Sequence, residues 1–254
     1  MWYVFPALPK RSRRVPFRPW LLPEGCAKVW PDPSEAEPDE GLVAVGGDLS
    51  AERLMSAYGH GIFPWYSEGT PILWWCPEPR AILESSKLHV SRSLRRTLRK
   101  SAFEIRIDSD FEGVIDGCAM RDEGTWILPE MRAAYLNLHV LGLAHSFEVW
   151  QNAELVGGLY GVQVGALFAA ESMFHRATDA SKVTLAACVT VLFDAGFELF
   201  DVQFMTPHLA SLGASPIPRR EYLSRVQAAR SKGVHWSHVV ARLAQLDSTR
   251  MGQR

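Results

Sequence analysis

Three polar side chains lie inside stretches whose other residues predict buried strands. Glu171 interrupts the apolar run GALFAAESMF, and Asp201 and Gln203 lie in FELFDVQF. Because a strand alternates its faces, Glu171 is predicted to share a face with Ala169 and Met173, and Asp201 with Gln203. Burying such groups is costly unless they are paired or face a cleft, so two strands with this pattern favour a shared cleft. The alternative for either strand alone is the exposed face of an edge strand. The opposite face of the second strand is predicted to carry Phe200, Val202 and Phe204.

A basic helix is predicted over SRSLRRTLRK. Its five cations are Arg92, Arg95, Arg96, Arg99 and Lys100. At helical spacing the four arginines form one stripe, with Leu94 and Leu98 on the opposite side. Such a stripe can contact the phosphates of a nucleic acid. The alternative is an ordinary solvated helix face. Arg219, Arg220 and the stretch KRSRR at residues 10–14 are further candidates for phosphate contact.

Aromatic residues are concentrated in three predicted loops, FPWY (63–66), LWW (73–75) and GTWI (124–127). Exposed Trp and Tyr rings stack on nucleobases and contribute about 1–3 kcal/mol each. Packing in the core is the alternative for each ring. A loop position beside Pro or Gly shifts the balance only modestly towards stacking.

Several other chemistries lack their usual sequence signals. The four cysteines are far apart, which predicts neither a zinc site nor a disulfide framework. His139 and His145 lie six residues apart, which is not the spacing of a helical metal pair. The chain has no P-loop, no G-x-G-x-x-G and no complete nucleophile elbow, which disfavours ATP enzymes, NAD enzymes and serine hydrolases. His208, close to the end of the Asp201 strand, is a weaker candidate for substrate contact.

The elements that must position these groups indicate a mixed α+β or α/β fold. We predict an irregular basic, Pro-rich arm over residues 1–28 and a small N-terminal domain over 29–80. A catalytic domain over 81–235 and a C-terminal tail over 236–254 follow. The catalytic domain is predicted to contain the basic helix, a strand, two helices, three strands with tight turns, a long helix and the FELFDVQF strand.

Charge and hydropathy limit the partners and the location of the chain. The net charge of −1 over 254 residues predicts no polyanion partner by itself, although local clusters can bind one. No apolar run reaches the roughly 18 residues of a membrane span, and the N-terminus does not have the order of a signal peptide. Together with the scattered cysteines, these features predict a cytoplasmic protein without a membrane partner.

An ordered series of longer motifs resembles one known family. The motifs are GLVAVGGDLS, AYGHGIFPWYSEGTPILWWCPEPR, LHVSRSLRR, GTWILPEM, AYLNLHVLGLAHSFEVW, LVGGLYGV, FAAESMF, ASK, FDVQF and HLASLGASPIPRREYL. They run in order from about residue 29 to 225, and together they are similar to the bacterial leucyl/phenylalanyl-tRNA–protein transferases. The resemblance implies transfer of Leu or Phe, with Met as a further candidate donor, from aminoacyl-tRNA to an N-terminal Arg or Lys. The product is then degraded by the N-end rule pathway.

The resemblance also implies a fold and roles for particular residues. The implied fold is a small N-terminal domain followed by a domain like the acyl-CoA N-acetyltransferases (GNAT-like). The implied catalytic centre is Glu171, Asp201 and Gln203. The implied contacts to the 3′-terminal adenosine of the tRNA are Trp65, Trp126 and Tyr135. The implied lining of the pocket for the apolar aminoacyl side chain is Phe168, Ser172, Met173 and Leu159. No cofactor and no metal are implied, because the aminoacyl ester is already activated.

Two positions depart from the family pattern, and two rival functions stay open. Ala170 stands where the family usually has Gly, and the added methyl group could bias the pocket towards Leu. Val202 stands where Cys is usual. One rival is an N-acetyltransferase that uses acetyl-CoA, which is disfavoured because the turn HRATDASK has no glycine. The other rival is a tRNA-binding protein without catalytic activity.

Overall fold

The computed structural model describes residues 19–23, 25–37, 40–99, 103–120 and 125–246. The strands are β1 (Trp20–Leu22), β2 (Leu42–Gly46), β3 (Phe63–Pro64), β4 (Leu73–Trp75), β5 (Arg80–Ile82), β6 (Glu104–Ile107), β7 (Ala144–Gln151), β8 (Glu154–Val164), β9 (Leu167–His175), β10 (Leu199–Gln203) and β11 (Ser215–Ile217). The helices are α1 (Ala51–Gly59), α2 (Arg92–Arg99), α3 (Phe111–Ala119), α4 (Pro129–Val140), α5 (Ala180–Asp194), α6 (Pro207–Ser211), α7 (Arg219–Arg230) and α8 (Trp236–Ala244). The mixed α/β prediction is therefore confirmed. The KRSRR stretch and Lys100 lie outside the described residues.

The N-terminal part forms a four-stranded sheet in the order β1-β2-β4-β3. Helix α1 follows β2 and begins where the Ser50 side chain accepts a hydrogen bond from the Arg53 backbone N–H, as an N-cap serine does. The sequence predicts irregular chain through residue 28, but Trp20–Leu22 pairs in parallel with β2. A three-residue strand without alternation leaves too little pattern to be predicted.

The remaining strands form a seven-stranded sheet in the order β11-β5-β10-β9-β8-β7-β6. Every neighbouring pair is antiparallel except β10 and β9, which run parallel and are connected by α5. The β7–β8 hairpin turns at Asn152 and Ala153, which both have positive φ, as the tight primed turns of hairpins require. The parallel pair brings Glu171 and Gln203 to neighbouring strands in the middle of the sheet.

Two large hydrophobic clusters pack against this sheet. The cluster around α5, here called the α5 cluster, contains Leu94, Phe168, Phe200 and other apolar side chains of the central strands. The second, here called the aromatic cluster, contains rings from α1, α4 and the small sheet, such as Tyr58 and Tyr135. Helix α5 is apolar on nearly every side, so it is buried along most of its length.

The C-terminal segment that the sequence predicts as a tail contains the helix α8. Its Trp236 stacks on His145 with ring centroids 3.5 Å apart and donates a hydrogen bond to Asp108 at 2.8 Å. Val239 is fully buried against the α5 cluster. The segment from α8 to Leu246 therefore belongs to the packed fold. In the part of the chain described here, no helix has the length and apolar character needed to cross a membrane.

Candidate active site

Glu171 lies at an irregularity in β9. In the β8–β9 ladder Tyr160 pairs with Ser172 and Gly161 pairs with Ala170, so Glu171 is an extra residue without an opposite partner. The prediction that Glu171 and Met173 share a face is therefore wrong. Met173 packs in the α5 cluster, whereas the Glu171 carboxylate meets side chains of the aromatic cluster. The β-bulge shifts the alternation by one residue, so Met173 and Phe174 lie on the faces opposite to those that strict alternation predicts.

The Glu171 carboxylate accepts hydrogen bonds on both of its oxygens. The Gln203 side-chain amide donates from Nε2 to Oε1 at 2.7 Å, and the Tyr135 hydroxyl donates to Oε2 at 2.9 Å. The Tyr135 hydroxyl also lies 2.5 Å from the Tyr58 hydroxyl. All four side chains are almost completely buried. Glu171 of β9 and Gln203 of β10 therefore belong to a single buried hydrogen-bond network, as the polar pattern of the two strands predicts.

The Glu171 carboxylate is buried and forms no direct ion pair within the described part of the chain. Burial raises the pKa of Glu171 to about 7, against the opposing effect of hydrogen bonds from Tyr58 and Tyr135. The pKa of each tyrosine is raised, first by burial and then by the charge of Glu171. Both phenols therefore stay protonated, as hydrogen-bond donors must.

Asp201 lies beside this centre but is held by a different set of groups. Arg80 donates from Nε to Oδ1 at 2.8 Å and from Nη2 to Oδ2 at 2.6 Å. The Tyr222 hydroxyl donates to Oδ2 at 2.8 Å, and the Gln203 backbone N–H donates to Oδ1 at 2.9 Å. Arg80 and Asp201 are both buried, and the bidentate geometry is the strong form of this pair.

Gln203 has an unusual backbone conformation. Its φ is 62°, and the Phe204 N–H donates to the Val202 carbonyl at 2.7 Å, which makes a γ-turn centred on Gln203. The prediction that Phe204 shares a face with Phe200 is wrong for this reason. The Phe204 ring packs against Phe63 and Trp65 with ring centroids 5.7 Å away from each.

The three aromatic residues implied for adenosine binding all belong to the aromatic cluster. Trp65 is mostly buried and packs on Trp75 and Phe204, and Trp126 is half-buried. Tyr135 is fully buried and its hydroxyl lies in the Glu171 network. Their role in stacking stays a prediction.

The residues implied for the aminoacyl pocket divide between two surroundings. Phe168, Met173 and Leu159 belong to the α5 cluster, where Phe168 stacks on Phe200 with ring centroids 5.7 Å apart. Ser172 is buried next to Glu171 in the bulge. Three of the four side chains therefore pack in the α5 cluster and not in the aromatic cluster that the Glu171 carboxylate meets. The role of the four residues as a pocket lining stays a prediction.

The basic helix α2 has the predicted orientation. Leu94 and Leu98 are buried in the α5 cluster, and Arg92, Arg95 and Arg96 are exposed. The structure does not describe the Arg99 side chain. The Thr97 hydroxyl donates to Asp179, the residue just before α5, so the helix is tied to the end of the loop that follows β9.

One group of possible metal ligands occurs among the described residues, namely Asp108, His139 and His145. Hydrogen bonds account for its geometry. His145 Nδ1 lies 2.8 Å from Asp108 Oδ2, and His139 Nδ1 lies 2.9 Å from the Ala144 carbonyl oxygen. Asp108 also accepts from Trp236, so we assign the group a structural role between β6, β7 and α8. The expectation that the protein holds no metal stays a prediction.

His208, the weaker candidate, lies in the first turn of α6. Burial, followed by the charges of Lys182 and His175, lowers the pKa of His208 to about 4, so the ring is neutral near pH 7. No hydrogen bond or ion pair described here joins it to Glu171, Asp201 or Gln203.

Three residues of the network were not singled out from the sequence, namely Tyr58, Arg80 and Tyr222. They lie in AYGHG, PEPR and REYL, inside motifs that carry the family resemblance. No periodicity or spacing distinguishes them, because their partners are far away in the chain. Only the full motif match could have indicated them.

Comparison with protein families identifies two matches in this chain. The family model described as leucyl/phenylalanyl-tRNA protein transferase matches residues 82–227, and the model described as its N-terminal domain matches residues 47–78. The first match contains the residues of the site apart from Tyr58, Trp65 and Arg80. Tyr58 and Trp65 lie within the second match.

Curated proteins named leucyl/phenylalanyl-tRNA–protein transferase are similar over most of the chain. The protein from Anaeromyxobacter sp. (strain K) is 55% identical over 205 residues, which are 79% of this chain and 88% of that one. The protein from Azotobacter vinelandii is 60% identical over 185 residues, 72% of this chain and 82% of that one. The protein from Methylococcus capsulatus is 52% identical over 214 residues, 82% of this chain and 91% of that one.

Similar solved structures include two with low sequence identity. A GCN5-related N-acetyltransferase from Kribbella flavida has a TM-score of 0.36 and 10% identity, with 63% of this chain and 58% of that chain covered. The L-PGS structure from Bacillus licheniformis has a TM-score of 0.37 and 11% identity, with 84% of this chain and 74% of that chain covered.

Proposed function

Because this chain belongs to the leucyl/phenylalanyl-tRNA–protein transferase family, we propose that Glu171 and Gln203 form the centre at which it transfers an amino acid. The activity is aminoacyl transfer from aminoacyl-tRNA to the N-terminal amine of a protein. The observation that carries the assignment of the centre is the buried Glu171 carboxylate, which takes part in no ion pair among the described residues and is oriented by Gln203 and Tyr135. A carboxylate in this position can accept charge-assisted hydrogen bonds from a substrate ammonium.

The reaction forms an amide bond and breaks an ester bond. The neutral acceptor amine attacks the ester carbonyl carbon, the bond from carbon to the ribose oxygen breaks, and the tRNA leaves with a free hydroxyl. The amine loses one proton and the leaving oxygen gains one. Since an N-terminal amine has a pKa of about 8, a useful neutral fraction exists at pH 7. No ATP is required, because the ester is already activated.

Glu171 is the group suited to hold an ammonium at the reacting end. An ammonium beside a buried carboxylate replaces the water that both lose, and a charge-assisted hydrogen bond is roughly twice as strong as a neutral one. The carboxylate therefore binds either the α-ammonium of the donor amino acid or the cationic acceptor. Binding an ammonium also favours the charged form of Glu171, whose pKa burial raises to about 7.

Gln203 contributes an amide that does not titrate. Its Nε2 donates to Glu171, which leaves the amide oxygen as an acceptor for an amine hydrogen. We therefore assign the centre a role in positioning the substrates, which can lower the activation barrier by several kcal/mol. The proton passes from the amine to the leaving oxygen through the substrates themselves.

The remaining contacts follow from the same assignment. We propose that Trp65, Trp126 and Tyr135 hold the 3′-terminal adenosine, and that Phe168, Ser172, Met173 and Leu159 line the aminoacyl pocket. The exposed arginines of α2 contact tRNA phosphates, and we propose the same role for Arg99 and Lys100. The acceptors carry N-terminal Arg or Lys, the donors are Leu-tRNA and Phe-tRNA, and the location is the cytoplasm.

The test mixes purified protein with radiolabelled Leu-tRNA and peptides that differ only in residue one, without ATP. Label is expected in the Arg and Lys peptides and not in the Ala peptide. Equal labelling of all three would contradict the acceptor rule. Retention of tRNA binding without transfer would contradict the catalytic assignment, and acetylation of the peptides by acetyl-CoA would favour the rival reaction.

A further inference from the structure

The carboxylate of Asp201 is fully used by protein donors. A carboxylate offers about four lone-pair positions. Asp201 receives two hydrogen bonds from Arg80, one from the Tyr222 hydroxyl and one from the Gln203 backbone N–H. A group with every position filled has none left for a substrate proton. Asp201 is therefore an anchor for its neighbours and does not act as a base.

Arg80 is itself held on all sides. Its guanidinium lies 4.6 Å from the centre of the Phe63 ring and 4.4 Å from that of the Tyr222 ring. A third donor, Nη1, reaches the Gly61 carbonyl at 3.3 Å. Cation–π contacts of a buried Arg are among the stronger ones, so the side chain is a rigid support. It comes from β5, the strand next to β10.

Arg80 lies on the strand next to Gln203, the residue of the site whose backbone is strained. The ladder between β5 and β10 is regular up to Asp201 and shifts between Asp201 and Gln203. At Gln203 the chain makes the γ-turn with a φ of 62°, a conformation that costs a non-glycine residue on the order of 1–3 kcal/mol. The Asp201 carboxylate binds the backbone N–H inside this turn at 2.9 Å. The turn directs the Gln203 amide to Glu171, which lies on the neighbouring strand β9.

From this arrangement we propose that Arg80 and Tyr222 are positioning residues for Gln203, acting on it through the Asp201 carboxylate. The proposal rests on the function given above, since it assigns Gln203 a part in the transfer. It assigns Arg80 and Tyr222 no contact with either substrate. We call Arg80 and Tyr222, together with the Asp201 carboxylate that they hold, the clamp. When a contact of the clamp is lost, the turn at Gln203 relaxes towards ordinary strand geometry, and the Gln203 amide moves away from Glu171.

The test is a double-mutant cycle with single-turnover kinetics. The variants are Arg80→Lys, Tyr222→Phe, Gln203→Ala and the two doubles with Gln203→Ala. Arg80→Lys keeps the charge beside Asp201 but removes the planar bidentate fork. The burst amplitude gives the fraction of folded, active protein, so the rate constant is measured per active molecule. Arg53→Lys is the matched control, because Arg53 is also fully buried and paired with an Asp, but lies at α1 in the small domain.

Each clamp variant is expected to lower the rate constant about tenfold, the effect of losing one hydrogen bond to a charged group, with the affinity for Leu-tRNA unchanged. In the Gln203→Ala background the same changes should have no further effect, since contacting residues are coupled. Arg53→Lys should change only the amplitude.

The proposal is overturned if the fold-reductions of the rate constant caused by a clamp variant and by Gln203→Ala multiply in the double variant. It is also overturned if Arg80→Lys and Tyr222→Phe both transfer at the wild-type rate. If Arg80→Lys does not fold, Tyr222→Phe decides, because it removes a single hydroxyl. Failure of the wild-type protein to transfer at all would count against the proposed function and is seen separately, before any variant is compared.

Discussion

The Tyr135 hydroxyl lies 2.9 Å from the Glu171 carboxylate and thereby joins helix α4 to the bulged strand β9 of the seven-stranded sheet. The same phenol approaches the Tyr58 hydroxyl, so three buried oxygens form a chain. Such a chain holds the carboxylate in place, and no ion pair among the residues that the structure describes includes it. Burial raises the pKa of Glu171 to about 7, so its ionisation changes within the pH range in which transfer can be measured.

The pH dependence of transfer should report this ionisation. With an Arg peptide, the single-turnover rate of the wild-type protein is expected to rise with pH through an apparent pKa of about 7, because only the carboxylate attracts an ammonium. Glu171→Gln should lose that step and keep the rise due to the acceptor amine at about pH 8. A step near neutrality that persists in the variant would contradict the assignment.

Stability should follow the same group with a defined sign. The folded-state pKa of Glu171 lies above the ordinary value of 4.5, so the folded protein binds this proton more tightly than the unfolded chain does. The stabilisation is complete below pH 4.5 and is lost as the pH rises through about 7. By about pH 8 the loss reaches about 3 kcal/mol. The free energy of unfolding of Glu171→Gln, measured with urea, should therefore vary less than that of the wild type between about pH 5 and 8.

Tyr135 has two possible contributions, which Phe and Ala substitutions separate. Tyr135→Phe removes the hydrogen bond to Glu171 but keeps the ring, so the transfer rate should fall about tenfold while Leu-tRNA affinity is retained. Tyr135→Ala should weaken tRNA binding as well, if the ring stacks on a base. Tyr58→Phe, one hydroxyl further from Glu171, should have the smaller effect on rate. A larger loss of rate in Tyr58→Phe than in Tyr135→Phe would contradict the finding that Tyr135 is the residue in direct contact with Glu171.

The salt dependence of tRNA binding tests α2. Replacing Arg92, Arg95 and Arg96 by Gln should reduce the slope of log K against log salt by about 0.7 for each lost phosphate contact with a single strand. Arg242→Gln on α8 is the control, because that side chain is exposed and bonded only to Gln245 among the contacts described. Equal slopes for the triple variant and the control would exclude the helix from the interface.

The packing of α8 predicts that the C-terminal segment is needed for stability. Trp236→Ala removes the stack on His145, ring contacts to Phe168 and the hydrogen bond to Asp108. The free energy of unfolding should fall by about 3 kcal/mol. Val240→Ala on the exposed side of the same helix should change it by less than about 0.5 kcal/mol, as thermal or urea unfolding can measure. Equal effects would mean that α8 is not packed as described.

Much of the fold is predictable because its signals are local. Period-two runs and turn residues predict most strands and helices, and the polar positions of β9 and β10 correctly predict a shared centre. What the sequence misses is set by partners far away in the chain. Arg80 and Asp201 are 121 residues apart, and nothing around either residue indicates the other.

The two wrong assignments of strand faces have the same origin. Both Met173 and Phe204 follow a residue at which the ladder is irregular, Glu171 in one case and Gln203 in the other. Strict alternation cannot show an inserted residue or a γ-turn, since these depend on which strand lies alongside. The prediction therefore fails at the two residues to which we assign the chemistry, as local rules often do at functional sites.

The bulge at Glu171 in β9 also limits which sequence changes such a site can accept during evolution. Deleting one residue between Phe168 and Glu171 would restore a regular ladder and move the carboxylate to the opposite side of the sheet. No point substitution has that effect, because the direction of the carboxylate depends on the number of residues and not on their type. Lineages that keep the activity should therefore tolerate exchanges of apolar side chains in this strand far better than insertions or deletions. The length of the segment is inherited as part of the active site.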